Sequence, residues 1–153
     1  MKIHKSKEVA NIEFRKYLTS QEGEILQLKC RNLKNVNVIA LIIVETYYRK
    51  LLFRLLEYLY WVISGNNEIT LGLSQLKARY IKTFSKLSIF QRFNSILKLE
   101  SYVNNYFLVE SYLNKNNMMY ADDNSICKFY NGEASSIHYM RNFKEAKSYI
   151  KTL

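Results

Sequence analysis

Residues 36–63 read VNVIALIIVETYYRKLLFRLLEYLYWVI, and this stretch decides the fold. Its first part holds the longest apolar run of the chain, Val38 to Val44. Asn35 or Asn37 can cap a helix over that run, because a short polar side chain accepts hydrogen bonds from the free amides of a first turn. A helix so apolar is buried on most sides and reaches its end at Glu45. From Tyr47 to Ile63 a second helical segment follows, whose Leu51, Leu52, Leu55, Leu56 and Leu59 form an apolar face, with Arg49, Arg54 and Glu57 largely between them.

Outward from this core the same period recurs. Residues 4–20 carry Val9, Ile12, Phe14, Tyr17 and Leu18 among charges and predict an amphipathic helix; Ile25 to Leu33 is a short mixed stretch. Ser64-Gly65-Asn66-Asn67 is the clearest turn, and Glu68 to Leu73 has the residues of an extended or hairpin element. Helical patterning resumes from Ser74 to Phe84, from Ile89 to about Asn116, from Asn124 to Phe129 and from Ser135 to Ile150.

The chain has 153 residues, no proline and four glycines, which favours rarely interrupted helices over a turn-rich sandwich or barrel. No repeat or linker divides it, so one domain over 1–153 is expected, mainly α with at most a small β-hairpin. Hydrophobic residues make up 48% and charged residues 24%, which excludes a wholly disordered chain. Lys and Arg outnumber Asp and Glu by 23 to 13, and the net charge of +10 points to a polyanionic partner: nucleic acid, an anionic bilayer or the bacterial wall. The N-terminus shows no apolar signal core, and no apolar run is long enough to span a bilayer. Cys30 and Cys127 lack a paired or ligand-spaced neighbour and read as free core thiols, while His4 and His138 show no ligand spacing and read as structural or exposed.

Three polar constellations carry chemistry. Glu45, behind Ile42, Ile43 and Val44, sits where burial raises a carboxyl pKa, and a carboxyl that keeps its proton is the general acid that glycosidic cleavage needs. Thr70-Leu71-Gly72-Leu73-Ser74-Gln75 offers a tight backbone at Gly72 and an amide at Gln75 that both donates and accepts. Tyr130-Asn131-Gly132, followed by Tyr139, offers a turn, a phenol able to bond a carboxyl or substrate, and aromatic faces suited to sugars.

Taken in order, these segments resemble the lytic transglycosylase branch of the lysozyme-like superfamily. Ala40-Leu41-Ile42-Ile43-Val44-Glu45-Thr46 is similar to its first motif, with Thr46 where the family usually has Ser. Gly72-Leu73-Ser74-Gln75 resembles its Gly-Leu-Met-Gln segment, with Ser74 in place of Met. Asn105-Tyr106-Phe107-Leu108-Val109-Glu110-Ser111-Tyr112-Leu113 looks like its Asn-containing helix, and Phe129-Tyr130-Asn131-Gly132 with Tyr139 is similar to its last motif. The resemblance covers about residues 36–143 and leaves an N-terminal helical extension. Between Glu45 and Gly72 lie 26 residues, more than the family's usual short gap, because the helix that includes Arg49 to Ile63 is inserted.

The resemblance implies a lysozyme-like helical domain acting on peptidoglycan glycan strands without a metal or organic cofactor. Glu45 would protonate the bond between N-acetylmuramic acid and N-acetylglucosamine, and the muramoyl 6-hydroxyl would attack to give a 1,6-anhydro product. Thr70, Gly72, Ser74, Gln75, Asn105, Tyr130, Asn131 and Tyr139 would hold the substrate. A hydrolytic variant needs a second carboxylate, for which Glu57 and Glu68 are the nearby candidates, although Glu57 also reads as an ion-pair partner and Glu68 as a solvated loop residue. Two other readings stand beside this one. A non-enzymatic basic protein would use Lys77, Arg79, Tyr80 and Lys82 on phosphates or an acidic partner, and a degenerate lysozyme-like fold would bind wall without cleaving it.

Overall fold

The computed structural model describes residues 2–81, 84, 86–132 and 136–153, with side chains from residue 11 onwards. Lys82 and Ser135 therefore lie outside the described residues, as do the side chains of His4 and Val9. Eight α-helices are found among the described residues: α1 (Lys2–Ser20), α2 (Glu22–Cys30), α3 (Val36–Tyr48), α4 (Leu51–Ser64), α5 (Ile89–Leu99), α6 (Tyr102–Lys115), α7 (Asp123–Asn131) and α8 (Ile137–Thr152). Two short strands, β1 (Thr70–Leu71) and β2 (Leu76–Lys77), pair antiparallel with Thr70 opposite Lys77 and Leu71 opposite Leu76. The protein is mainly helical with one small hairpin.

The apolar run becomes the central helix. Asn35 is its cap, with its side chain accepting from the amides of Asn37 and Val38, so Asn37 lies inside the helix. All seven residues from Val38 to Val44 are buried, and α3 packs against α8, α6 and α1. The helix runs on to Tyr48, so Glu45 stands in its last turn rather than at its end.

The second half of the deciding stretch folds against expectation. Leu51, Leu52, Leu55, Leu56 and Leu59 are exposed, whereas Arg54, Tyr58, Trp61 and Val62 face inward. A specific ion pair explains the inversion. Arg54 forms two 2.8 Å bonds to the two oxygens of Glu100 and a 2.6 Å bond to the Arg49 carbonyl, and Tyr58 donates to the same carboxylate. A bidentate guanidinium–carboxylate pair with its remaining donors satisfied can be buried.

Further differences have local causes. The mixed stretch around Ile25 is a full helix, stabilised by burial of Ile25 and Leu28. The described residues from Ser74 to Ile81 do not form an α-helix; they hold a turn, β2 and a 3-10 turn over Ala78–Tyr80. The long helical stretch from Ile89 breaks at Glu100-Ser101, where Ser101 caps α6. The Leu99 carbonyl exposed by that break accepts from the Leu73 amide at 3.2 Å and from Asn105 Nδ2 at 2.7 Å, so the break receives the hairpin turn. Both cysteines are free; Cys127 is buried as expected, but Cys30 is exposed on α2. His138 is exposed. No helix among the described residues is long and apolar enough to cross a membrane.

Candidate functional site

Glu45 is half-buried in the last turn of α3. The surrounding protein raises its pKa to about 7, since burial disfavours the charged carboxylate; the Tyr139 hydrogen bond and the Arg49 charge pull the other way without prevailing. Tyr139 on α8 donates its hydroxyl to Glu45 Oε1, and its ring stacks on Tyr48 at 5.8 Å between centroids. Burial, followed by the charge of Glu45, holds the phenols of Tyr139 and Tyr130 far above their usual pKa, so both remain neutral donors. The pair therefore stores one titratable proton near neutral pH, on the carboxyl.

The hairpin turn supplies the second wall. Gly72 has φ +78° and Gln75 has φ +52°, both left-handed. At Gly72 the conformation and the space agree: a Cβ there would lie 2.9 Å from Asn105 Oδ1 and 3.0 Å from the Leu99 carbonyl. Asn105 Oδ1 accepts from the Ser74 amide at 3.1 Å and its hydroxyl at 2.8 Å, while Asn105 Nδ2 donates to Leu99 and Ser101 carbonyls. The turn is also fixed to the helices by Tyr130, which donates to the Ser74 carbonyl at 2.6 Å, and by Thr46 Oγ1, which donates to the Leu73 carbonyl at 3.1 Å.

Gln75 joins the turn to the acid's neighbourhood. Its Oε1 accepts from Thr70 Oγ1 at 2.9 Å and Arg49 Nε at 3.1 Å, and its Nε2 donates to the Gly72 carbonyl at 2.9 Å and Glu57 Oε2 at 3.3 Å. Arg49 lies one helical turn beyond Glu45 and pairs with Glu57 at 3.2 Å. Helix α4 thus folds back and brings Glu57 to Gln75 across the long insertion, with its carboxyl pushed up by burial and held down by Arg49.

Thr70, Gly72, Ser74, Gln75, Asn105 and Tyr130 are tied to one another around the hairpin turn, while Glu45 is bonded to Tyr139. Ser74 and Asn105 are fully buried and bonded to each other, and Gly72 is buried beneath them. They cannot touch a glycan, so their direct substrate role is corrected to positioning of the turn. Tyr130 is likewise spent on the Ser74 carbonyl. Asn131 is exposed at the last position of α7. Glu68 is exposed and bridges Lys77 at 3.2 Å and Arg79 at 2.7 Å, so two of the cations expected to track phosphates share one carboxylate.

Arg49 was not singled out as a site residue; its position four residues after Glu45 on a helix was the available signal.

A cavity of about 870 Å³ opens beside the acid rather than around it. Thr46, Tyr47 and Leu73 line it where they adjoin the site, and Tyr17, which packs on Tyr47 at 5.2 Å between ring centroids, Gln21 and Asn104 also line it. The Tyr17 hydroxyl is buried there without a hydrogen-bond partner among the described residues. Among the described residues no group of three or more His, Cys, Asp or Glu side chains is arranged to hold a metal ion. Comparison of the chain with protein-family models, curated proteins and solved structures gives no match.

Proposed function

We propose that the protein is a peptidoglycan-cleaving muramidase, a lytic transglycosylase that cuts the bond between N-acetylmuramic acid and N-acetylglucosamine with Glu45 as general acid. The observation that carries this reading is a carboxyl with a pKa near 7, held by a neutral phenol, on a helix whose next residue, Thr46, donates to the Leu73 carbonyl of the hairpin turn. At neutral pH a large fraction of such carboxyls holds the proton that the leaving sugar oxygen requires as oxocarbenium character develops. The carboxylate left behind then accepts the proton of the muramoyl 6-hydroxyl as that oxygen attacks the anomeric carbon. The 1,6-anhydro ring closes and the acid is restored, so no metal or organic cofactor enters the cycle.

The cavity beside Thr46, lined by polar and aromatic side chains that include Gln21, Tyr47 and Asn104, supports binding of a saccharide. A net charge of +10 concentrates the protein on anionic wall polymers. Hydrolysis is the second reading, favoured by one observation: the fold-back of α4 brings a carboxylate, Glu57, to Gln75.

The test is digestion of purified peptidoglycan by wild type and Glu45→Gln, with mass spectrometry of the soluble products. Anhydro-muropeptides from wild type and none from the variant are expected; reducing-end products favour hydrolysis. Wall binding without release by either protein would leave only the degenerate fold, and absence of both binding and release would remove the glycan reading altogether.

A further inference from the structure

The leucine face of α4 has no partner among the described residues. Leu52, Leu56, Leu59 and Ile63 follow one another at helical spacing and are between 56% and 68% exposed. Phe53 and Tyr60 widen the apolar surface on one side of that stripe, and Leu51 and Leu55 on the other. Helix α5, packed beside α4, exposes Ile89, Phe90, Phe93 and Leu97 in the same way. Exposed apolar side chains clustered on two packed helices of a charged protein mark an interaction site, and two helices together present a broader face than the narrow seam that a single partner helix covers.

The charges around it say what covers it. Residues 49–100 contain nine Lys and Arg against three Glu. All three carboxylates are taken up internally, Glu57 by Arg49, Glu68 by Lys77 and Arg79, and Glu100 by Arg54. Lys50 at the start of α4, Lys86 and Lys98 are exposed and make no ion pair among the described residues. Exposed cations that stand in the chain beside apolar positions of both helices, Lys50 next to Leu51 and Lys98 next to Leu97, match a surface that is apolar inside and anionic at its edge. A second copy would set the same cations against each other, on a chain already at +10.

We infer that α4 and α5 form a docking face for an anionic lipid bilayer, with the leucine stripe lying in the headgroup boundary. Helix α4 has 14 residues and is about 21 Å long, too short for the hydrocarbon core, so it lies on the membrane rather than through it. This inference needs no turnover by Glu45 and is tested apart from the glycosidase reading, although Lys50 and Leu51 also line the cavity beside Thr46.

The full chain, as wild type and as Glu45→Gln, is sedimented with vesicles of phosphatidylglycerol and phosphatidylcholine in equal parts, and with phosphatidylcholine alone. Both proteins are expected to pellet with the anionic vesicles only, and less as salt rises. Leu52→Gln with Leu56→Gln should reduce the bound fraction by about tenfold or more, because apolar burial supplies the hold. Those positions are exposed, so the melting temperature should be unchanged. If it is not, Lys50→Glu with Lys98→Glu decides, and should weaken binding and flatten its salt dependence. Wild type left in the supernatant, equal binding to both vesicle types, or unchanged binding by a folded leucine variant overturns the proposal. A dimer that the leucine variant abolishes, without vesicle binding, overturns it in favour of a second copy.

Discussion

Tyr139 lies 94 residues down the chain from Glu45, yet its phenol donates directly to the Glu45 carboxyl. That bond favours the ionised acid, so it works against the burial that raises the pKa. Tyr139→Phe should therefore move the titration of Glu45 to higher pH by about one unit, the worth of one hydrogen bond. Carboxyl-carbon NMR across pH reads the shift directly, and the alkaline limb of any glycan cleavage should move with it. An unmoved or lowered midpoint would contradict the role given to the phenol.

The same pKa makes stability depend on pH. Folding raises the Glu45 pKa from an ordinary 4.5 to about 7, so the folded state keeps a proton that the unfolded chain has lost within that window. Its stabilising effect is complete below the lower value and lost as pH rises through the upper one. Glu45→Gln lacks this titration. Relative to wild type it should gain stability from about pH 4.5 to 7, reaching a plateau of about 3 kcal/mol. Chemical denaturation at several pH values measures the difference; a pH-independent gap would refute it.

Gly72→Ala is expected to be costly for two reasons that coincide. The position has φ +78°, and the added methyl would meet Asn105 Oδ1 and the Leu99 carbonyl at about contact-breaking range. A loss of about 2 kcal/mol or more follows from the left-handed backbone and the collision together. Thermal melting gives the value, and a loss below about 0.5 kcal/mol would show that the α5–α6 break accommodates the methyl.

Glu100→Gln should expose the dependence of α4 on its buried cation. Arg54 would keep its charge at 6% exposure but lose its carboxylate, and removal of one partner from such a pair costs about 3 kcal/mol. Arg54→Met with Glu100→Gln should recover much of that loss, since no unpaired charge is then left inside. Urea denaturation of the single and double variants separates these cases. Equal stability of single variant and wild type would mean that α4 is held by packing alone.

How much of this was legible in sequence varies from element to element. The core helix was readable because seven successive apolar residues from Val38 to Val44 leave no polar face to expose. Glu45 as a carboxyl with a raised pKa was readable for the same reason. The inward face of α4 was not. Leucines at helical spacing name the more apolar side, whereas Arg54 became the buried side because Glu100, 46 residues away, meets it with two oxygens. Ser74 and Asn105 were readable as members of one motif set, but which of them touch solvent depends on the break between α5 and α6.

Sequence alone, then, determined the helical class, the single hairpin region, the basic surface and the placement of an acid behind an apolar run. These follow from periodicity and composition, which act locally. Tertiary structure decided which side of α4 is covered, that Gln75 is bonded to Arg49 and Glu57, and that Tyr139 reaches Glu45. Each of those depends on a partner distant in the chain, whose distance and direction no local pattern encodes.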